Sequence, residues 1–110
     1  MKFDDYQKLA LTTALTDGDE FKDRMHWVLG LSGETGEIAE KMKKIVRDKG
    51  GVMNEADIQD LSKEIGDVLW YLAVLANHLS LSFDQIAKSN LAKLADRKQR
   101  SVIGGSGDNR

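Results

Sequence analysis

The chain has 110 residues, with 16 basic and 18 acidic side chains, 41% hydrophobic residues, ten glycines, and neither proline nor cysteine. This length allows one compact domain, and the absence of cysteine excludes disulfide frameworks, zinc fingers and thiol catalysis. A net charge of −2 argues against a nucleic-acid partner, and the apolar runs are shorter than the roughly 20 residues of a membrane span. We therefore expect a cytoplasmic protein with no membrane partner.

The hydrophobic periodicity, together with the lack of proline, predicts four helices joined by glycine and polar turns. They are expected at residues 3–15, 25–48, 54–79 and 82–100. Gly50-Gly51 should end the second helix, and Asn54 should cap the third. Ser82 and Gln85 match the pattern of a capping box at the start of the fourth.

Residues 1–103 are expected to form one helical domain. The remaining segment, residues 104–110, is too rich in glycine to be helical and resembles a frayed C-terminal tail. Because glycine-rich loops can wrap phosphate groups with backbone N–H groups, a second interpretation is that this segment folds over a phosphorylated ligand.

An apolar stripe with alternating steps of three and four residues runs along the third helix and indicates an uninterrupted bundle seam. It consists of Ile58, Leu61, Ile65, Val68, Leu72, Leu75 and Leu79. The second helix repeats this register more weakly between Val28 and Ile45. Further apolar residues widen the surface of the third helix beyond one stripe, and four short helices cannot cover it all. This surplus favours a homo-oligomer.

Five acidic residues lie beside these seams at helical spacing: Glu34, Glu37, Glu40, Glu64 and Asp67. If the two helices pack antiparallel, the acidic flanks face each other, so that four of the carboxylates converge. Oxygen-only ligation of this kind suits Mg²⁺ or Mn²⁺. The alternative, that the acidic residues merely solvate the flank of a bundle, is about equally consistent with the spacing. Glycines between them indicate either close packing of helices or room for a ligand.

The segments 33–40, GETGEIAE, and 64–72, EIGDVLWYL, resemble the MazG-like family of all-α nucleoside triphosphate pyrophosphohydrolases. The family signature is an E-x-x-E pair on one helix and an E-x-x-D pair on the next. The resemblance implies a four-helix bundle that forms dimers or dimers of dimers. It also implies Mg²⁺-dependent cleavage of a (deoxy)nucleoside triphosphate to the monophosphate and pyrophosphate, as in the cleaning of nucleotide pools.

The resemblance assigns metal-ligand positions to Glu34, Glu37, Glu64 and Asp67. Glu37 or Glu40 would accept a proton from the attacking water, and the sequence does not choose between them. Lys41, Lys93 and Arg97 are candidate phosphate-binding residues, although lysines and arginines near helix ends also favour the helix dipole without any ligand. Tyr71 continues the acidic stripe and is expected to line the site, unless it is a core aromatic.

Two other classes of protein compete with this interpretation. A non-catalytic helical module would bind nucleotides or a partner protein through the wide apolar face of the third helix, but it would not need the four carboxylates. A carboxylate-bridged redox metalloprotein would require Glu-x-x-His motifs, and neither His26 nor His78 supplies one.

Overall fold

The computed structural model describes all 110 residues as four α-helices without a strand, which confirms the predicted all-α class. The helices are α1 (Phe3–Ala10), α2 (Glu20–Lys49), α3 (Glu55–His78) and α4 (Phe83–Gln99). A short 3₁₀ turn, Leu11–Thr13, continues α1. None of the four helices combines the length and hydropathy that crossing a bilayer requires.

Helices α2 and α3 form an antiparallel hairpin whose ends are set by local hydrogen bonds. The Asp19 carboxylate accepts a bond from the Lys22 amide, so α2 begins five residues earlier than the periodicity predicts. Gly50 has φ of 60° and ends the helix, as predicted. Asn54 and Asp57 exchange the two bonds of a capping box at the start of α3. The connection of five residues forces the two helices back along each other.

The predicted seam of α3 is only partly covered within the chain. Leu61, Val68 and Leu75 are half-buried. The remaining seam positions, seven residues apart, are between 40% and 58% exposed: Ile58, Ile65, Leu72 and Leu79. Seven residues are close to two helical turns, so these four side chains form one line on the helix surface. We call this line the open seam; no other element of the chain covers it.

The small core lies where α1 meets α3 and the start of α4. It consists of Ala10, Ala73, Ala76 and Phe83. Helix α4 shares few contacts with α3, and the Cα radius of gyration is 17.0 Å, against about 13 Å for a compact domain of this length.

The capping box predicted for α4 is half formed: Ser82 accepts from the Gln85 amide, but the Gln85 side chain donates to Ser89 instead.

The segment of residues 104–110 is folded, so the expectation of a frayed tail is wrong. The Arg110 guanidinium donates hydrogen bonds to four carbonyl groups, those of Val102, Ile103, Gly104 and Gly107. Gly105 and Gly107 have φ of 96° and 86°, a region that favours glycine. The expectation of disorder followed from the glycine content alone. It did not take into account Arg110, whose hydrogen bonds hold the turn together.

Candidate metal centre

Three carboxylates from the two helices of the hairpin meet at one point. Glu34 on α2 faces Glu64 and Asp67 on α3, and one carboxylate oxygen from each residue lies within 4.8 Å of those of the other two. Glu64 and Asp67 are three residues apart and therefore share a face of α3. The short connection between the helices brings that face against Glu34.

The electrostatics of this acidic cluster are unfavourable without a cation. Partial burial raises the pKa of Glu34, and a hydrogen bond with Glu64 and the negative charges of Asp67, Glu64 and Glu37 raise it further. The donors are all carboxylate oxygens, with no nitrogen or sulfur ligand among them. Hard divalent cations such as Mg²⁺ and Mn²⁺ prefer this donor set, so the residues present fit such an ion.

Lys41 already places a positive charge at the edge of the cluster. Its ammonium nitrogen is 3.2 Å from Glu64 Oε1, and both side chains are largely shielded from solvent. The hydrogen bond to Glu64 raises the pKa of Lys41, so the lysine stays protonated. The residue therefore lies where it could contact either a metal-binding carboxylate or a phosphate group.

The other two predicted acidic residues have different surroundings. Glu37 is exposed and lies outside the three-residue cluster, although its charge is among those that raise the pKa of Glu34. Glu40 is paired with Lys43 at 2.9 Å and with Lys44 at 3.7 Å. The hydrogen bond from Lys43 is the main cause of a lowered pKa for Glu40.

The helical glycines separate into two kinds. A Cβ at Gly30 would lie 2.2 Å from the Tyr71 ring, so this glycine permits close packing of α2 on α3. In contrast, Gly33, Gly36 and Gly66 face open space. Close packing therefore occurs at Gly30, whereas the glycines beside the acidic cluster have open space next to them.

The aromatic residues near the cluster are mostly engaged in packing. Trp27 is 2% exposed, and the Trp70 indole donates to Thr13 Oγ1 at 2.9 Å and to the Ala10 carbonyl at 3.2 Å. Tyr71 is half-buried and packs edge-on against Trp70 at 5.0 Å between ring centroids. Tyr71 follows Asp67 by one helical turn, so it remains the candidate aromatic beside the site.

The predicted basic residues of α4 do not pair with the acidic cluster. Lys93 and Arg97 both bind Asp108, in the folded turn that follows α4. Sequence reasoning missed Asp108 because nothing in its spacing links it to α4. It also missed Tyr6 of α1, whose pKa is raised mainly by burial and additionally by the charge of Asp67.

Comparisons with known proteins find one matching family model and a relative that aligns with the whole chain. The family model of the MazG nucleotide pyrophosphohydrolase domain matches residues 24–102, which include Glu34, Glu37, Glu40, Glu64 and Asp67. The chain is 47% identical to the Gene 37 protein of Mycobacterium phage L5 over 114 aligned residues, which cover both proteins completely. No solved structure matches the chain at a significant level.

Proposed function

Because the chain belongs to the MazG nucleotide pyrophosphohydrolase family, we propose that it hydrolyses a ribo- or deoxyribonucleoside triphosphate to the monophosphate and pyrophosphate. The observation that carries this proposal is the meeting of Glu34, Glu64 and Asp67 at one point between α2 and α3. Three crowded carboxylates cost stability unless a cation offsets them, and a phosphate-hydrolysing enzyme has a use for that cation.

Glu34, Glu64 and Asp67 would hold Mg²⁺, or Mn²⁺, with Glu37 reaching the same ion from one turn further along α2. When bound, such an ion offsets charge on phosphate oxygens and lowers the pKa of coordinated water. The open space beside Gly33, Gly36 and Gly66 would accommodate the phosphates.

Positive side chains would complete the binding of the phosphates. Lys41 is next to the cluster and lines a cavity of about 250 Å³, in which Lys44 and Lys49 are accompanied by Asp48, Asp57 and Asp60. Lys93 and Arg97 would contribute from α4, and Tyr71 would contact the nucleoside. Because phosphoryl transfer depends on positioning and charge, these contacts would set both the orientation and the affinity of the substrate.

Glu37 is the better candidate for the group that accepts the proton of the attacking water. Its carboxylate has no hydrogen bond or ion pair in the structure. Glu40, in contrast, is held by two lysines that stabilise its charged form and weaken it as a base. A general base needs an oxygen that is free to accept the proton, and with one oxygen of Glu37 on the ion the other would be available.

We further propose that the active form is a homodimer or a homotetramer. Only ten of the 110 residues are buried in the single chain, and the open seam of α3 is an apolar line on the helix that carries the acidic pair. A second copy would cover this line and so remove its apolar side chains from water. The site would then lie close to the interface between copies.

The test is a panel of ribo- and deoxyribonucleoside triphosphates with and without Mg²⁺, with separation of monophosphate plus pyrophosphate from diphosphate plus phosphate. We expect metal-dependent monophosphate and pyrophosphate. Asp67→Asn and Glu37→Gln should abolish turnover, whereas Glu55→Gln, a change at an exposed acidic residue in the first turn of α3, should not. If no triphosphate is turned over while nucleotides still bind, the chain is a non-catalytic binding module instead.

A further inference from the structure

Two cations of α4 share one oxygen of an internal anion. Lys93 Nζ is 2.7 Å from Asp108 Oδ1, and Arg97 Nη2 is 3.0 Å from the same atom. Arg97 Nη2 also donates to the Asp108 backbone carbonyl. The second carboxylate oxygen of Asp108 has no protein partner among the hydrogen bonds of the structure. One carboxylate oxygen of Asp108 therefore contacts both positive side chains, and its single negative charge offsets only one of their two positive charges.

Arg97 has an unused donor that is buried. The residue is only 5% exposed, and its Nε–H has no hydrogen-bond partner. An arginine normally binds an oxyanion through two parallel N–H groups, and leaving one of them buried without a partner is unfavourable. Phosphate and pyrophosphate offer more oxygens than the single one that Asp108 supplies. The pair formed by Lys93 and Arg97 has the donors for such a group.

Few bonds hold the turn that carries Asp108 onto α4. The Arg110 guanidinium bonds only to carbonyls within residues 102–107, so it keeps the turn folded without fixing it to the helix. The attachments to α4 side chains are those of Asp108 and one bond from Arg100 to the Arg110 carbonyl. The Asp108 side chain is itself 75% exposed, so solvent and solutes can compete for its partners.

We propose that Lys93 and Arg97 form an oxyanion site that Asp108 occupies in the free protein and that a phosphate group takes over. The ligand is the phosphate of a nucleotide or the pyrophosphate product, and this assignment rests on the proposed function. Asp108 acts as an internal competitor. It offsets part of the positive charge of the pair when no phosphate is present, and it lowers the affinity for phosphate because it must be displaced.

Binding of inorganic pyrophosphate, measured by calorimetry without metal, tests the proposal directly. Asp108→Asn should bind pyrophosphate about two- to fivefold more tightly than the wild type, the size of effect expected for a largely exposed ion pair. Glu20→Gln is the matched control, because it removes one negative charge from an exposed ion pair with Arg24 on α2, away from the turn. The control should bind as the wild type does. Equal or weaker binding by Asp108→Asn, or no binding to either protein, overturns the proposal.

A second measurement follows the turn itself. The amide NMR signals of Gly104, Gly105 and Gly107 should move towards flexible-chain positions when pyrophosphate saturates the wild-type protein, and Arg97→Met should prevent the change. Signals that stay dispersed in the complex would show that the turn does not leave. Neither experiment involves turnover, so a protein that fails to hydrolyse triphosphates can still pass both tests.

Discussion

Asp4 and Asp84 cap each other's helices. The Asp84 amide donates to Asp4 Oδ1 at 2.9 Å, and the Asp4 amide donates to Asp84 Oδ1 at 3.3 Å. Asp4 also accepts from the Ser82 hydroxyl. Each carboxylate thus lies at the N-terminus of the other residue's helix, where negative charge is favourable. This exchange fixes the start of α4 to the start of α1, although 80 residues separate the two in sequence.

The exchange predicts a pH dependence of stability. The Asp84 amide and the Ser82 hydroxyl lower the pKa of Asp4 from its usual 3.8. A lowered folded-state pKa means that the stabilisation is present above pH 4 and is lost as the pH falls through the folded value. Asp4→Asn should therefore lower Tm at pH 7 and have a much smaller effect at pH 2. Asp60→Asn serves as the control and should change Tm little at either pH; a constant difference for Asp4→Asn would contradict the prediction.

The raised pKa of Glu34 predicts that this residue destabilises the metal-free protein. Its carboxylate form is disfavoured in the fold, so above the unfolded pKa it costs stability, and protonation at lower pH removes that cost. Glu34→Gln should raise Tm at pH 7 in the presence of a chelator and should also reduce the increase in Tm that Mg²⁺ produces. A lower Tm without metal, measured in parallel with the wild type, would mean that the carboxylates do not repel each other appreciably.

Two glycines on α2 should respond oppositely to the same substitution. Gly30→Ala pushes a methyl group into the Tyr71 ring and should cost about 1–3 kcal/mol, the usual price of overpacking. Gly33→Ala meets open space and should stabilise the helix by about 1 kcal/mol. Denaturant unfolding would measure both changes. If the space at Gly33 receives substrate, Gly33→Ala will also lose activity while it gains stability.

Gln7 is a buried polar link whose loss should be costly. Its amide nitrogen donates to the Ala73 and Leu81 carbonyls, and its oxygen accepts from the Phe83 amide. Gln7→Met keeps the volume but leaves these backbone groups without partners, at about 1–3 kcal/mol. The exposed Gln85→Met change should stay within about 0.5 kcal/mol. Comparable losses of unfolding free energy in the two variants would show that the hydrogen bonds of Gln7 do not contribute more to stability than those of an exposed glutamine.

The open seam gives the proposed oligomer a direct test. Ile58→Lys places a charge on the apolar line of α3 and should shift the protein to single chains in sedimentation experiments. Leu15→Lys adds the same charge at a residue that is 84% exposed in the connection before α2, and should leave the assembly unchanged. An unaltered assembly in Ile58→Lys would place the interface elsewhere on the chain.

The helices and the acidic cluster were predictable because both depend on local spacing. Gly50 and Asn54 are end signals that act within one turn, and Glu64 and Asp67 must share a face because they are three residues apart. The position of Glu37 was not predictable in the same way. Glu34 and Glu37 differ by about 60° around the helix axis, so a small rotation of α2 decides which of the two faces α3.

The folded turn after α4 was missed for a different reason. Its structure depends on bonds from Arg110 to backbone carbonyls, and carbonyls are present at every residue and leave no mark in a sequence. The start of α2 was also predicted too late, although Asp19 was a visible capping residue, because apolar periodicity begins only after it. The predicted bounds of the hairpin therefore hold except for the first five residues of α2.

The residues of the acidic cluster all belong to one helical hairpin, between positions 34 and 67, joined by a connection of five residues. Bringing them together closes a loop of modest length, and the entropy of closing such a loop is small. Assembly of the cluster therefore does not require α1 or α4. The hairpin is accordingly the smallest unit of the chain that carries the complete set of acidic ligands.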